Sequence, residues 1–238
     1  MKVAFIGGGN MGAAIIGGLV GKGFAAAGIT VVEPGAASRE SLVSRFGVAV
    51  RESAAGLAAQ EAILLPGKPQ QMREAARPPP RAMPNTPALV HAGVTGLFAP
   101  PSVDASGRGR AEALLAAVGE TVWLPREEDL DAVTAVSGSG PAYVFYFIEA
   151  LERAAVELGL APGPARQLAL ATFLGAAKLA RARGEDPAVL RAQVTSKGGT
   201  TERALGEMEA AGLKARFVEA VKAARERSRE LGEEFGKG

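Results

Sequence analysis

The sequence predicts an α/β fold, in which an N-terminal doubly wound parallel sheet is followed by an all-α domain. Three observations carry that prediction. The first apolar run, Val3-Ala4-Phe5-Ile6, breaks into glycines and resumes as the helical stretch Ala13-Ala14-Ile15-Ile16. Short apolar runs then alternate with helical periodicity, the pattern of parallel strands joined by crossover helices. Beyond the charged stretch Arg126-Glu127-Glu128-Asp129 the pattern is helical to the end. The boundary therefore falls between residues 1–125 and 126–238.

Composition narrows the function classes. A chain of 238 residues that is 47% hydrophobic is globular and can bury one large core or two modest ones. The net charge of +2 is spread over mixed Lys, Arg, Asp and Glu, so no basic patch points to nucleic acid. Cysteine is absent, which removes disulfides, thiolate catalysis and cysteine metal sites, and no cluster of other metal ligands is visible. Met1-Lys2 runs straight into the first strand and no apolar run is long enough for a bilayer, so a soluble, cytoplasmic protein without a membrane partner is expected.

The first strand and helix enclose Gly7-Gly8-Gly9-Asn10-Met11-Gly12, the G-x-G-x-x-G spacing of a Rossmann-type dinucleotide fold. Gly7 allows the turn, Gly9 lets a pyrophosphate approach the backbone, and Gly12 lets helix pack on strand. The phosphates would sit on free N–H groups at the helix start, with Asn10 and Met11 as further cofactor contacts. The small residues Ala13, Ala14, Gly17 and Gly18 suit close packing of that helix on the sheet. Ile29-Thr30-Val31-Val32 forms the second strand and ends in Glu33, at the distance expected of a ribose-binding carboxylate. Pro34-Gly35-Ala36-Ala37-Ser38-Arg39 is placed to receive the adenosine ribose. Glu33 would repel a 2′-phosphate while Ser38 and Arg39 could bind one, which leaves NADH and NADPH both open. The plain alternative is a glycine-rich turn of an ordinary α/β unit.

A helix over 41–46, a strand over 48–50, a helix over 53–60 and a buried strand over 62–65 continue the alternation. Pro66-Gly67-Lys68-Pro69 is then a loop at the carboxyl edge of the sheet, where such folds bind ligands. After a short helix over 70–76 the alternation fails, because Arg77-Pro78-Pro79-Pro80-Arg81 can be neither helix nor central strand. Another strand and its helix would be due here. Met83-Pro84-Asn85-Thr86-Pro87 is a rigid loop presenting an amide and a hydroxyl. A strand over 93–98, a helix over 110–118 and a strand over 121–124 complete the domain. His91, the sole histidine, reads as a loop or surface residue.

In the second domain a long helix over 131–158 is interrupted by Ser137-Gly138-Ser139-Gly140-Pro141, where proline frees a carbonyl and predicts a kink. Tyr143-Val144-Phe145-Tyr146-Phe147-Ile148 is apolar on nearly every face, more than a domain of roughly 110 residues covers alone, so a dimer through this helix is expected. Helices around 165–183 and 187–194 lead to Thr195-Ser196-Lys197-Gly198-Gly199-Thr200-Thr201, just before a helix starting near 202. Glycines followed by hydroxyls there form a second anion cradle, the alternative being a capped helix start. The mixed run Arg225-Glu226-Arg227-Ser228-Arg229-Glu230 reads as a solvated face.

Taken together, Gly7-Gly8-Gly9-Asn10-Met11-Gly12, Met83-Pro84-Asn85-Thr86-Pro87-Ala88, Ser137-Gly138-Ser139-Gly140-Pro141-Ala142-Tyr143 and Ser196-Lys197-Gly198-Gly199-Thr200-Thr201 resemble the pyrroline-5-carboxylate reductases over nearly the whole chain. The resemblance implies a Rossmann domain coupled to a helical dimerisation domain. It also implies reduction of 1-pyrroline-5-carboxylate to L-proline with NADPH or NADH, the last step of proline synthesis. By the same resemblance Thr201 hydrogen-bonds the substrate ring nitrogen as the catalytic residue, and the amides of Gly198, Gly199 and Thr200 hold its carboxylate. Ser196 and Ser139 fall on the substrate side, and Lys68, Pro69 and Asn85 on the cofactor side. The site is then shared across a dimer; whether dimers assemble further into a larger ring stays open.

The chain departs from the family in two places. Lys197 stands where proline is usual, and roughly 25 residues, about one β-α unit, are absent between Ala76 and Arg81. Either the sheet closes with one strand fewer, or this copy is a catalytically impaired nucleotide-binding dimer. A 3-hydroxyacid dehydrogenase would share the opening motif but needs a lysine with a nearby asparagine. Asparagine occurs only at positions 10 and 85, and Lys178 lacks such a partner.

Overall fold

In a computed structural model, which describes residues 1–55, 57, 60–65 and 80–236, the chain divides into two units. Residues 1–139 with 225–238 form one, and residues 140–224 the other. The first unit opens with β1 (Val3–Ile6), α1 (Asn10–Gly21), β2 (Ile29–Val32), α2 (Ala36–Phe46), β3 (Ala49–Arg51) and β4 (Ala62–Leu64). These strands form a parallel sheet in the order β3-β2-β1-β4, with Val3 level with Ile29 on one side and Ala62 on the other. β1 is paired on both edges, and its unbroken apolar run is what a strand with both faces covered requires. Val3, Ala4 and Phe5 are fully buried. α1 lays Ile15, Ile16 and Leu19 into the same core. A Cβ on Gly18 would lie 2.5 Å from Val118 Cγ1 and 2.9 Å from the Ala117 carbonyl, so glycine there permits the close approach of α1 to the turn at residues 116–118.

The second half of this unit holds β5 (Arg81–Met83), a 3₁₀ turn (Thr86–Val90), β6 (Gly93–Phe98), α3 (Ala105–Leu115) and β7 (Gly119–Trp123). β6 is the middle strand, antiparallel to β5 and parallel to β7. The expected strand over 93–98 is found where it was placed, while β5 was not anticipated: it is a three-residue edge strand, where flanking Pro80 and Pro84 are tolerated. α3 begins at Ala105 rather than 110 because the Asp104 carboxylate accepts from the Gly107 N–H at 2.7 Å and caps it. α2 begins at Ala36 rather than 41, which moves Ser38 and Arg39 from a loop onto its first turns. Residues 53–55 form bends and a turn instead of the start of a helix. The expected helix over 70–76 and the loop containing Lys68 and Pro69 lie outside the described residues.

Among the described residues the strands divide into a four-stranded and a three-stranded sheet, with β4 and β5 each at an edge. A cavity of about 890 Å³ lies against both edges, lined also by Met11 and Ile15 of α1 and by Leu114 and Leu115 of α3.

α4 (Asp129–Val133) runs into a π turn (Thr134–Gly138). The Ser139 N–H donates to the Thr134 carbonyl at 2.8 Å, and the Thr134 and Ser137 hydroxyls donate to the carbonyls of Leu130 and Val133 at 2.8 and 3.1 Å. The interruption is therefore a hydroxyl-supported π turn, and the carbonyl that Pro141 leaves without a helical donor, that of Ser137, accepts from the Asn85 amide instead. Pro141 falls in the first turn of α5, where its missing N–H costs nothing. Ser228 closes this unit by donating its hydroxyl to Asp131 at 2.7 Å.

The second unit consists of α5 (Gly140–Glu157), α6 (Pro162–Arg183), α7 (Pro187–Gln193), α8 (Thr200–Ala210) and the first turns of α9 (Leu213–Gly236). Gly184, at φ 65°, ends α6, and Asp186 caps α7 by accepting from the Ala188 N–H at 2.7 Å. Tyr143 and Phe147 of α5 pack edge-on against Phe217, with centroids 5.7 and 5.6 Å apart. Ala165 and Ala169 are the buried apolar residues of this unit, whereas Phe145 and Tyr146 are 64% and 68% exposed. The apolar excess expected on α5 is thus uncovered in the single chain. No helix among the described residues is long and apolar enough to cross a membrane.

Candidate active site

The glycine turn after β1 is built as its spacing predicts. Gly7 adopts φ 110°, a conformation that disfavours any side chain, and its N–H donates to the Val32 carbonyl at 2.8 Å. Gly9 is the N-cap of α1 in an extended conformation with no side-chain cap. A Cβ at Gly9 would meet nothing within 4 Å, so the space above the helix start is open. The N–H groups of Asn10, Met11 and Gly12 belong to the first turn and have no carbonyl of α1 to bond. Open space at Gly9, a positive helix end and first-turn N–H groups without an α1 carbonyl together fit a pyrophosphate.

Glu33 reaches this turn from the tip of β2. Its Oε2 accepts from the Gly8 N–H at 2.8 Å, and its Oε1 accepts from the Gly35 N–H at 3.0 Å. These bonds, first that from Gly35 and then that from Gly8, hold the carboxyl below its ordinary pKa, and the Arg39 charge adds to them. Arg39 donates through Nη1 to the carbonyls of Glu33 and Pro34 at 2.8 and 2.6 Å. Ser38 is exposed on α2. The structure thus brings Gly7 through Gly12, Glu33 and Arg39 together.

Asn85 has a different occupation from the one expected. It is buried, its amide group donates to the Ser137 carbonyl at 3.2 Å, and its side-chain oxygen accepts from the Val94 N–H at 2.9 Å. It ties the 3₁₀ turn and β6 to the π turn next to Ser139. His91, exposed and left-handed at φ 56°, ends the 3₁₀ turn in a surface position.

In the second unit, the turn before α8 needs both its glycines for separate reasons. Gly198 has φ 73°, and a Cβ on Gly199 would lie 2.6 Å from Ser196 Oγ. The Gly199 N–H donates to the Ser196 carbonyl at 3.0 Å, so this amide closes the turn instead of facing a ligand. Thr200 and Thr201 open α8, with Thr201 half-buried. The Gly198 N–H donates to Glu202 Oε2 at 2.8 Å. Glu202 was not singled out from the sequence. Its signal was an acidic residue in the first turn of a helix that follows a glycine turn, the position from which a capping-box carboxylate reaches back.

A glycine turn that leaves a helix start open beside an acidic strand tip is the arrangement of dinucleotide-dependent oxidoreductases, and the chain is of that class. Residues 2–87 match the family described as NADP oxidoreductase, coenzyme F420-dependent, and residues 127–231 match that described as pyrroline-5-carboxylate reductase dimerisation. A pyrroline-5-carboxylate reductase of Pseudomonas aeruginosa is 40% identical over 268 aligned positions, which cover 99% of this chain and 98% of the relative. The solved structure of the reductase from Coxiella burnetii superposes with a TM-score of 0.89 at 34% identity, covering 97% of this chain and 98% of that one. That from Plasmodium falciparum, solved with NADP bound, shares the fold with a TM-score of 0.81 at 24% identity, covering 98% of this chain and all of that one. The chain belongs to the pyrroline-5-carboxylate reductase family. Because 268 aligned positions exceed the 238 residues of this chain, at least 30 of them have no residue here.

Proposed function

We propose that the chain reduces 1-pyrroline-5-carboxylate to L-proline with NADPH or NADH, residues 1–125 holding the cofactor and residues 126–238 the substrate and the dimer contact. The observation that carries this reading is the Gly198 turn, whose main-chain N–H already holds a carboxylate, that of Glu202. The substrate offers a carboxylate beside a cyclic imine. Gly198 and Thr200 donate to that carboxylate, Ser196 and Gly199 shape the turn beneath it, and Ser139 lines the substrate side. Thr201, on the next turn position, orients the ring nitrogen with its hydroxyl. A cyclic imine is basic enough to arrive protonated, so positioning serves it better than a strong acid. Reduced nicotinamide supplies the hydride to the imine carbon.

On the cofactor side the turn from Gly7 to Gly12 holds the pyrophosphate and Glu33 the ribose, with Ser38 and Arg39 beside it. Lys68 and Pro69 belong to the same side, and Asn85 acts there by bracing the backbone. The shortfall of one β-α unit is assigned to residues 76–81. The cavity between β4 and β5 supports that assignment. A dimer forms through α5, and the exposed Leu168, Leu170 and Leu174 of α6 support a further contact that builds a ring of dimers. The enzyme works in the cytoplasm, where reduced nicotinamide nucleotides are available.

The test is oxidation of NADPH and of NADH with and without 1-pyrroline-5-carboxylate, followed by nicotinamide absorbance. Substrate-dependent oxidation is the expected outcome. Thr201→Ala should lower kcat about ten- to a hundredfold while nucleotide Kd stays unchanged; loss of nucleotide binding in that variant would count against the role given to Thr201. A second reading, a nucleotide-binding dimer without turnover, draws on the same cavity. It would be selected by a folded dimer that binds nucleotide and oxidises none.

A further inference from the structure

We propose that Glu33 makes this reductase selective for NADH over NADPH, and that Arg39 braces the tip of β2 instead of receiving a 2′-phosphate. The inference rests on the cofactor site proposed above. From sequence alone Glu33 argued against a 2′-phosphate and Ser38 with Arg39 argued for one. The geometry separates them.

Both oxygens of the Glu33 carboxylate are fixed by main-chain donors, Oε2 by Gly8 at 2.8 Å and Oε1 by Gly35 at 3.0 Å. Gly8 lies in the pyrophosphate turn and Gly35 is the N-cap of α2, so the carboxylate bridges the two loops at the carboxyl ends of β1 and β2. A carboxylate oxygen that accepts one N–H keeps a second lone pair. The pair can therefore accept from two neighbouring ribose hydroxyls without giving up either glycine. A 2′-phosphate removes one of those hydroxyls and places an anion of about −1.5 to −2 charge against a carboxylate that cannot swing away. Like charges so placed exclude a ligand more effectively than a missing contact does.

Arg39 is the cation that the sequence placed beside Ser38 to offset this repulsion, and its position points elsewhere. Nη1 is shared between the carbonyls of Glu33 and Pro34, at 2.8 and 2.6 Å, which fixes the guanidinium on the main chain that carries Glu33. It supports the loop, and its charge lies on the Glu33 side of the site, where it helps keep that carboxylate ionised. Gly35 adds a steric limit, since a Cβ there would lie 3.2 Å from Glu33 Oε1. The loop is shaped around the carboxylate.

The experiment is titration calorimetry of the full-length protein with NADH and with NADPH, without imine substrate, on wild type, Glu33→Gln and Arg39→Ala. Wild type should bind NADH at least about tenfold more tightly. Glu33→Gln keeps an acceptor for Gly8 but removes the charge, and should bring the two affinities to within about twofold, chiefly by tightening NADPH. Arg39→Ala should weaken both nucleotides by the same factor. The proposal is overturned if wild type binds NADPH as well as NADH, if Glu33→Gln leaves the ratio unchanged, or if Arg39→Ala weakens NADPH alone. Turnover is measured separately. NADH-selective binding without imine-dependent oxidation would remove the reductase reading and leave the selectivity standing. Oxidation that prefers NADPH would remove the selectivity alone, and absence of binding by either nucleotide would overturn both.

Discussion

Each of the two glycine turns gives one main-chain N–H to a glutamate of this chain, but the two glutamates are held in different ways. Glu33 comes from 25 residues beyond Gly8, is half-buried, and takes a second N–H from Gly35. Glu202 lies four residues beyond Gly198, is exposed, and takes one N–H. A carboxylate fixed at both oxygens belongs to the surface a ligand meets. An exposed one on a single bond is held by roughly 1 kcal/mol, and a ligand carboxylate can take its place. On the proposed reading, Glu33 selects the nucleotide and Glu202 holds the N–H that the substrate carboxylate would take.

The largest effects should come from adding one methyl group to either turn. Gly9→Ala adds its Cβ to open space at an ordinary φ of −62°, so the melting temperature should not change. The methyl group would stand where a pyrophosphate approaches, and nucleotide Kd should rise at least about tenfold. Gly199→Ala forces a Cβ to 2.6 Å from Ser196 Oγ and 3.1 Å from the Ser196 carbonyl. It should raise KM for the imine about tenfold with nucleotide Kd intact, as the turn opens. If the first variant lost substrate affinity, or the second nucleotide affinity, the division of labour between the turns would be wrong.

A smaller effect is expected from Glu202→Gln, which weakens the internal competitor for the Gly198 N–H. KM for the imine should fall about two- to fivefold, and inhibition by proline should tighten in parallel, because one exposed hydrogen bond is worth that much. A rise in KM would make Glu202 part of the substrate site and erase the contrast with Glu33.

The smallest effect concerns acid stability. The Glu33 carboxyl is held below its ordinary value of 4.5 in the folded chain, so the stabilisation it brings is complete above that value. It is lost as pH falls through the depressed folded value, because the unfolded chain takes up the proton first. Denaturant melts of wild type and Glu33→Gln taken downward from pH 5 should therefore converge, wild type losing stability faster. Parallel curves would mean that Gly8 and Gly35 do not hold the ionised form.

What could be read from the sequence follows from how local the cause is. The run from β1 through the glycines into α1 was legible because period, turn chemistry and the acidic residue after β2 all agree over a few positions. β6 was legible for the same reason. β5 was not, since three residues between prolines have no period and exist as a strand only because β6 supplies an edge. The start of α2 was hidden by Pro34-Gly35, which resemble a loop in the absence of the Arg39 bonds that fold them back. The interruption near Ser139 was foreseen together with the carbonyl that Pro141 frees, which is that of Ser137, whereas the Thr134 and Ser137 hydroxyls that support the π turn were not. Of the site, the glycines and Glu33 were visible as types. The bridge from Gly8 to Gly35, the burial of the Asn85 amide and the reach of Glu202 depend on side-chain direction, which residue spacing does not encode.

The uncovered apolar face of α5 makes dilution a structural variable. In the dimer proposed through α5, a helix that leaves Phe145 and Tyr146 to solvent in the single chain draws stability from mass action with a second copy. Its melting temperature should climb with protein concentration. An assay run at nanomolar enzyme then measures association as much as chemistry, and a lag that shortens as enzyme is added would be the trace of chains finding one another before they turn over.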